Sequence, residues 1–223
     1  MSGLFITLEG GEGAGKSTQI RRLAARLEAL GHDVVVTREP GGSPRAEAIR
    51  EAILSGKGKP YGPFAEALMF SAARKDHLDQ TIRPALARDA VVLCDRFADS
   101  TRAYQGASGA LDPQLITGLE RVVVGETRPD LTLILDLPPE TGLARANKRR
   151  GDTTAEIDRF ESENLQFHKK LRRAFHILSE EEPQRCALID ADRDAELVEL
   201  DIWQTVKDRL GHRLKFPIQA IEI

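Results

Sequence analysis

Cysteine is nearly absent from this chain of 223 residues: Cys94 and Cys186 are the only two. One pair cannot form the disulfide framework on which small secreted domains depend. Each cysteine sits at one end of an apolar run, which reads as a buried free thiol in a reducing cytosol, although spacing alone leaves a single bridge open. No apolar run approaches the roughly 18 residues a membrane span requires. Met1 to Gly3 lead into an apolar run without the basic start, apolar stretch and cleavage site of a signal peptide. The histidines, His32, His77, His168, His176 and His212, are scattered. No Cys/His spacing matches a zinc site, and each histidine reads as a surface or helix-face residue. The formal net charge of −3 carries no excess of one sign that would imply a nucleic-acid or membrane partner. Internal repeats, low-complexity tracts and domain linkers are missing too. What is left is an ordinary globular composition, 41% apolar and 30% charged. The length suits one sizeable α/β domain and would cramp two.

Against those absences stands one dense signal. Phe5-Ile6-Thr7-Leu8-Glu9 runs into Gly10-Gly11-Glu12-Gly13-Ala14-Gly15-Lys16-Ser17-Thr18, which fits G-x-x-x-x-G-K-[ST]. An apolar strand precedes it. An amphipathic helix follows, with Ile20, Leu23, Ala24, Leu27 and Leu30 on one face and Gly31 as its C-terminal cap. A glycine-rich turn before any helix is the plain alternative. The strand–loop–helix frame favours a cradle of backbone N–H groups for a nucleoside triphosphate, helped by the helix dipole. Lys16 would reach the β- and γ-phosphates and Ser17 would ligate Mg²⁺.

Five apolar runs read as strands: Leu4–Glu9, Val34–Arg38, Val91–Asp95, Leu131–Leu137 and Cys186–Asp190. Their near-continuous apolar character predicts strands covered on both faces. Helical periodicity marks Ser17–Leu30, Pro44–Leu54, Phe64–Thr81, Pro113–Val124 (opened by Asp112 and Pro113), Pro139–Arg149, Ile157–Leu178 and Ala195–Leu210. Asn164 interrupts the apolar stripe of the sixth. The basic run His168-Lys169-Lys170-Leu171-Arg172-Arg173 on it reads as a solvated face. The expected fold is a three-layer α/β P-loop domain with a five-stranded parallel sheet and helices on both faces. It would span residues 1–211, with a short lid at about 145–160 and a tail over 212–223.

Ligands of open α/β sheets sit beyond the carboxyl ends of the strands. Strand three ends in Asp95-Arg96-Phe97, where Asp95 would either hold the metal ion or cap the next turn. Strand two ends in Thr37-Arg38-Glu39-Pro40-Gly41-Gly42. Arg38 and Arg96 are each readable as rim residues; together they could clamp a second phosphate bidentately. A kinase whose acceptor is a phosphate ester needs such a pair, and a regulatory NTPase does not.

The P-loop, Thr-Arg-Glu-Pro-Gly-Gly at 37–42, Asp-Arg-Phe at 95–97 and Ser-Thr-Arg-Ala-Tyr-Gln-Gly at 100–106 together resemble the bacterial thymidylate kinases. The resemblance continues through Leu-Met-Phe-Ser-Ala-Ala-Arg at 68–74, Arg-Pro-Asp-Leu-Thr at 128–132 and Asp-Arg-Phe-Glu at 158–161. It implies Mg²⁺-dependent transfer of the ATP γ-phosphoryl group to dTMP, giving dTDP and ADP, by a cytoplasmic homodimer. It further implies that Arg38 and Arg96 hold the dTMP phosphate, Phe70 stacks on thymine and Arg74 donates to a thymine carbonyl. Ser100 and Gln105 would contact the base, Tyr104 the deoxyribose, and Glu12 the 3′-hydroxyl. Read from pattern alone, Phe70 is core and the others are ordinary helix or loop residues. The family draws a catalytic arginine from the P-loop or the lid. No basic residue precedes Lys16 in this P-loop, so Arg149 or Arg150 is expected, with Arg145 and Arg159 behind them. The rival readings are a kinase for another nucleoside monophosphate, a GTP-driven switch and a scaffold without turnover. Asn147-Lys148-Arg149-Arg150 lacks the aspartate of a guanine motif, and the only Asp-x-x-Gly, Asp208–Gly211, falls in the last helix.

Overall fold

A computed structural model describes residues 3–108, 111–151, 160 and 162–214, and leaves the side chains of 107, 108 and 149–151 outside the description. Its strands are β1 (Leu4–Gly10), β2 (Val34–Arg38), β3 (Val91–Asp95), β4 (Leu131–Asp136) and β5 (Cys186–Asp190). They form one parallel sheet in the order β2-β3-β1-β4-β5. β1 lies in the middle and every one of its residues is buried, which is why its run is apolar without alternation. β2 lies at an edge, and its Val36 is exposed.

The helices are α1 (Lys16–Ala29), α2 (Pro44–Leu54), α3 (Gly62–His77), α4 (Arg83–Ala87), α5 (Ala98–Thr101), α6 (Pro113–Val123), α7 (Pro139–Gly151), α8 (Leu165–Glu181) and α9 (Ala195–Leu210). Alternating β1 residues supply both sides of the sheet. Leu4, Ile6 and Leu8 pack with Leu23 and Leu27 of α1 and Ile202 and Val206 of α9. Phe5 faces the other way, against Leu78, Ile82 and Phe97. A third cluster joins Tyr104 and Phe160 to Leu171, Phe175 and Leu178 of α8. Each fully buried Leu, Ile or Phe contributes about 1.5–3 kcal/mol, so the two faces of β1 anchor the site that grows from its end. Cys94 and Cys186 are both free and buried.

Four expectations are corrected. The helix expected over 64–81 begins earlier, at Gly62, and passes through a π-turn at Leu78–Ile82 into α4. Pro84, in the first turn of α4, has no N–H to give the preceding turn, and the wider turn accommodates that. The helix expected from Ile157 begins at Leu165. Asn164 does not interrupt it but caps it, its side chain accepting from Phe167 N at 3.0 Å; residues 157–159 lie outside the described residues. Its basic run is not wholly solvated: Lys169, Lys170 and Arg173 are exposed, but His168 and Leu171 are buried. Arg172 forks onto Asp136 at 2.7 Å through both nitrogens. Two histidines are interior, His77 completely and His168 nearly so. At the carboxyl end, Leu214 is buried in the first cluster; positions 215–223 of the expected tail lie outside the described residues. Among the described residues no helix is long and apolar enough to cross a membrane.

Candidate active site

The loop after β1 closes on itself. Gly15 O accepts from Thr18 N and Gln19 N at 3.0 Å each, starting α1. Lys16 is buried and donates Nζ to Gly10 O (3.0 Å) and Gly11 O (2.8 Å), so its ammonium is already bent over the loop. Burial and neighbouring Arg96 push its pKa down, against the pull of Glu12 and Asp95. Gly13 is required twice over. Its φ is +68°, and a Cβ there would come 2.0 Å from Gly142 O of α7. Gly142 in turn packs on the loop, where a Cβ would lie 2.3 Å from Glu12 O. The helix that carries Arg149 and Arg150 thus rests directly on the P-loop backbone.

β3 delivers Asp95 beside this loop, and Ser17 Oγ donates to Asp95 Oδ2 at 2.9 Å. A hydroxyl and a carboxylate, both oxygen donors, beside a polyphosphate cradle suit Mg²⁺, which takes few protein ligands and fills its shell with phosphate and water. No cluster of three His, Cys, Asp or Glu side chains that would form an all-protein metal cage occurs among the described residues.

Arg96 follows with φ +67°, a left-handed conformation that costs a non-glycine residue about 1–2 kcal/mol. Its N–H donates to Leu8 O at 2.9 Å, which ties the turn to β1. Nη2 meets Glu12 Oε1 at 2.7 Å, Nη1 meets Gly10 O at 3.1 Å, and the guanidinium lies 5.0 Å over the Tyr104 ring. Tyr104 OH also donates to Glu12 Oε1, at 2.7 Å. Burial alone would raise the pKa of Glu12, but Arg96, Lys16 and the Tyr104 hydroxyl outweigh it and bring the group down to about 2. Burial likewise opposes the charge of Arg96, and Tyr104, Glu12 and Asp95 hold its pKa well above the usual value.

Beneath this turn Glu9 is completely buried. Its Oε1 accepts from Phe97 N (2.7 Å) and Ser100 N (3.3 Å), and its Oε2 from Ser100 Oγ (2.6 Å). Burial, reinforced by Asp99, raises its pKa from 4.5 to about 7. The folded chain therefore keeps a proton between pH 4.5 and 7 that the unfolded chain has released, and stability from this group falls as pH rises across that window. Glu9→Gln keeps the shape without the titration. Denaturant midpoints should show the variant gaining about 2–3 kcal/mol on the parent between pH 5 and pH 8. An unchanged difference between the two pH values would refute the assignment.

β2 brings Arg38 into register with Asp95, and Arg38 Nη2 lies 3.2 Å from both oxygens of Glu47. From α3, Phe70 and Arg74 project one helical turn apart onto the same face. Arg74 is buried and donates to Glu39 Oε2 (2.7 Å), Phe97 O (3.1 Å) and Thr101 Oγ1 (3.1 Å). One cleft is lined by Glu12, Ser17, Arg38, Phe70, Arg74, Asp95, Arg96, Ser100, Tyr104 and Gln105. Every acceptor-site residue expected from the sequence is in it.

Gly10, Gly11, Gly13, Ala14, Gly15 and Thr18 form the loop and the first turn of α1. Arg145 reaches Ala191 O at 3.1 Å, in the loop after β5, rather than the cleft. Arg149 and Arg150 belong to α7 by backbone, but their side chains lie outside the described residues, as does Arg159. The cleft also contains residues to which the sequence alone gives no role: Glu39 and Phe160, which lie inside the motifs at 37–42 and 158–161, and Arg50, which lies in none. Arg50 sits on α2 and donates to Pro40 O at 2.8 Å. Phe160 meets Tyr104 edge-on at 5.2 Å and Phe70 at 6.3 Å.

The sequence model of the thymidylate kinase family matches residues 8–202. The thymidylate kinase of Caulobacter vibrioides is 58% identical over 209 residues, covering 94% of this chain and 98% of its own. That of Bradyrhizobium sp. strain BTAi1 is 56% identical over 208 residues, covering 93% of this chain and 91% of its own. The crystal structure of thymidylate kinase from Ehrlichia chaffeensis superposes with a TM-score of 0.74 at 31% identity, covering 92% of this chain and 98% of that one. With the P-loop, the paired arginines and the aromatic cleft all in one place, the chain belongs to the thymidylate kinase family.

Proposed function

We propose that the chain transfers the γ-phosphoryl group of ATP to dTMP, giving dTDP and ADP. The observation that carries this reading is the cleft itself. It sets two arginines, Arg38 and Arg96, next to the P-loop, and an aromatic–arginine pair, Phe70 and Arg74, farther along the same lining. The first pair suits the phosphate of a nucleotide acceptor and the second suits its base. Tyr104 and Glu12, joined at 2.7 Å, suit the sugar between them. A tyrosine ring against C2′ would crowd a ribose hydroxyl, which favours a deoxynucleotide.

A phosphate oxygen of dTMP attacks the γ-phosphorus in line. The new P–O bond forms as the bond to ADP breaks. The acceptor is already an anion, so no strong general base is needed, and catalysis is positioning plus neutralisation of charge. Lys16 supplies charge at the β- and γ-phosphates, Arg96 at the acceptor, and a lid arginine, Arg149 or Arg150, at the moving group. Mg²⁺ held by Ser17 and Asp95 would supply further charge neutralisation. Lid closure over 145–160 excludes water, which would otherwise accept the phosphoryl group. We read residues 1–211 as the kinase domain. Exposed Phe64 and Leu68 on α3 and Leu115 and Val122 on α6 support a homodimer packed through helices. The buried free thiols suit a reducing cytoplasm.

ADP release with ATP and Mg²⁺, measured on dTMP, dUMP, UMP, CMP, AMP and GMP in turn, tests the assignment. Turnover should be highest with dTMP, weaker with dUMP and absent with UMP. Equal turnover with UMP or CMP would keep phosphoryl transfer and overturn the thymidylate assignment. ADP release without any acceptor would overturn both.

A further inference from the structure

We propose that His77, which lines no part of the cleft, is a positioning residue that sets the phosphate clamp and the base clamp of the acceptor site together. The inference rests on the acceptor-site reading above. His77 is completely buried at the last position of α3. Its two ring nitrogens address two residues that flank Arg38. Nδ1 lies 3.1 Å from Glu39 Oε1, and Nε2 lies 2.7 Å from Thr37 Oγ1. A carboxylate only accepts, so Nδ1 carries the proton, and in the neutral ring Nε2 is left to accept from the Thr37 hydroxyl.

Each bond governs one clamp. Along an extended chain alternate side chains share a face, so pinning Thr37 and Glu39 to α3 fixes the opposite direction for Arg38. The same bond is covered by the next turn. A Cβ on Gly42 would lie 2.3 Å from His77 Nε2 and 2.5 Å from Thr37 Oγ1, so the backbone there seats directly on the pair. Gly42 N donates to Glu47 Oε1 at 2.9 Å, and Glu47 is the carboxylate on which Arg38 rests. On the other side, Glu39 presents its second oxygen to Arg74 Nε at 2.7 Å. Arg74 Nη2 is taken by Phe97 O and Thr101 Oγ1, and the guanidinium lies 5.1 Å over the Phe97 ring. Nη1 takes no part in these bonds, which leaves it to address a base. One buried imidazole therefore orders an arginine for the phosphate and an arginine for the base, without touching the nucleotide.

The side-chain amides separate the two limbs. His77→Asn keeps a nitrogen near the place of Nδ1 and so keeps the bond to Glu39. His77→Gln keeps one near Nε2 and so keeps the bond to Thr37. His77→Leu keeps neither. In the ADP-release assay, His77→Leu should raise KM for dTMP at least about tenfold and leave KM for ATP within about twofold. His77→Gln should relax the preference for dTMP over dCMP, whose 4-amino group cannot accept from Arg74. His77→Asn should keep that preference while raising KM for dTMP. Should His77→Leu not fold, Thr37→Val against Thr37→Ser reads the same limb: KM for dTMP rises in the first and not in the second. A parallel rise in both KM values, or an unchanged KM for dTMP in a folded variant, overturns the proposal. A parent enzyme that does not turn over dTMP would instead overturn the acceptor-site reading beneath it.

Discussion

Lys16→Ala is expected to lower kcat by about a thousandfold or more while leaving a folded protein. The ammonium is buried, and the hydrogen bonds it makes among the described residues go to the loop that cradles the phosphates, Gly10 O and Gly11 O. Its charge is held there against burial and against Arg96, with Glu12 and Asp95 as counter-charges. That arrangement is costly for a resting protein and useful only when a polyanion arrives. Removing it should strip charge neutralisation from the transferring group at little cost to the core, because the apolar clusters do not include it. The check is ADP release with dTMP beside a thermal melt. Retained turnover would remove the P-loop from the mechanism. A collapse of the melt would make the lysine structural first.

What could be read in the sequence has a physical pattern. Strands β2, β3 and β5 match their expected bounds to the residue, because each is a short apolar run, but only β3 is covered on both faces as expected; the edge strands β2 and β5 leave Val36 and Leu188 exposed. The P-loop is legible because its glycines answer a local demand, as Gly13 does with φ +68°. The acceptor residues came from ordered motifs rather than from periodicity, and all of them line the cleft. Other parts depend on partners far along the chain. His77 looks like the polar end of a helix until Glu39 and Thr37 arrive from β2 and the loop beyond it. Arg50 carries no local signature of a cleft. α5 and the π-turn at Arg102–Ser108 have no apolar period, since their residues serve Glu9, Glu12 and the cleft rather than one helix face. Asn164 shows the converse: in the sequence a capping residue looks like a flaw in a longer apolar stripe.

The same logic makes Arg96 the most informative residue to change twice. Arg96→Ala and Arg96→Gly should each cut kcat/KM for dTMP by about a thousandfold, since both remove the guanidinium at the acceptor end of the cleft. Both also take from Glu12 the nearest cation holding its carboxylate, which stays ionised down to about pH 2 through Arg96, Lys16 and Tyr104. Only the Tyr104 hydroxyl and Lys16 then remain to compensate that largely buried charge, so both variants should melt below the parent. Yet they should not melt together. With φ at +67°, position 96 strains any side chain with a Cβ, and glycine relieves about 1 kcal/mol that alanine does not. Arg96→Gly should therefore be the more stable of two equally inactive proteins. Equal melting temperatures would mean that the left-handed turn carries no strain. An active Arg96→Gly would mean that the turn, and not the guanidinium, is what the site needs from this position.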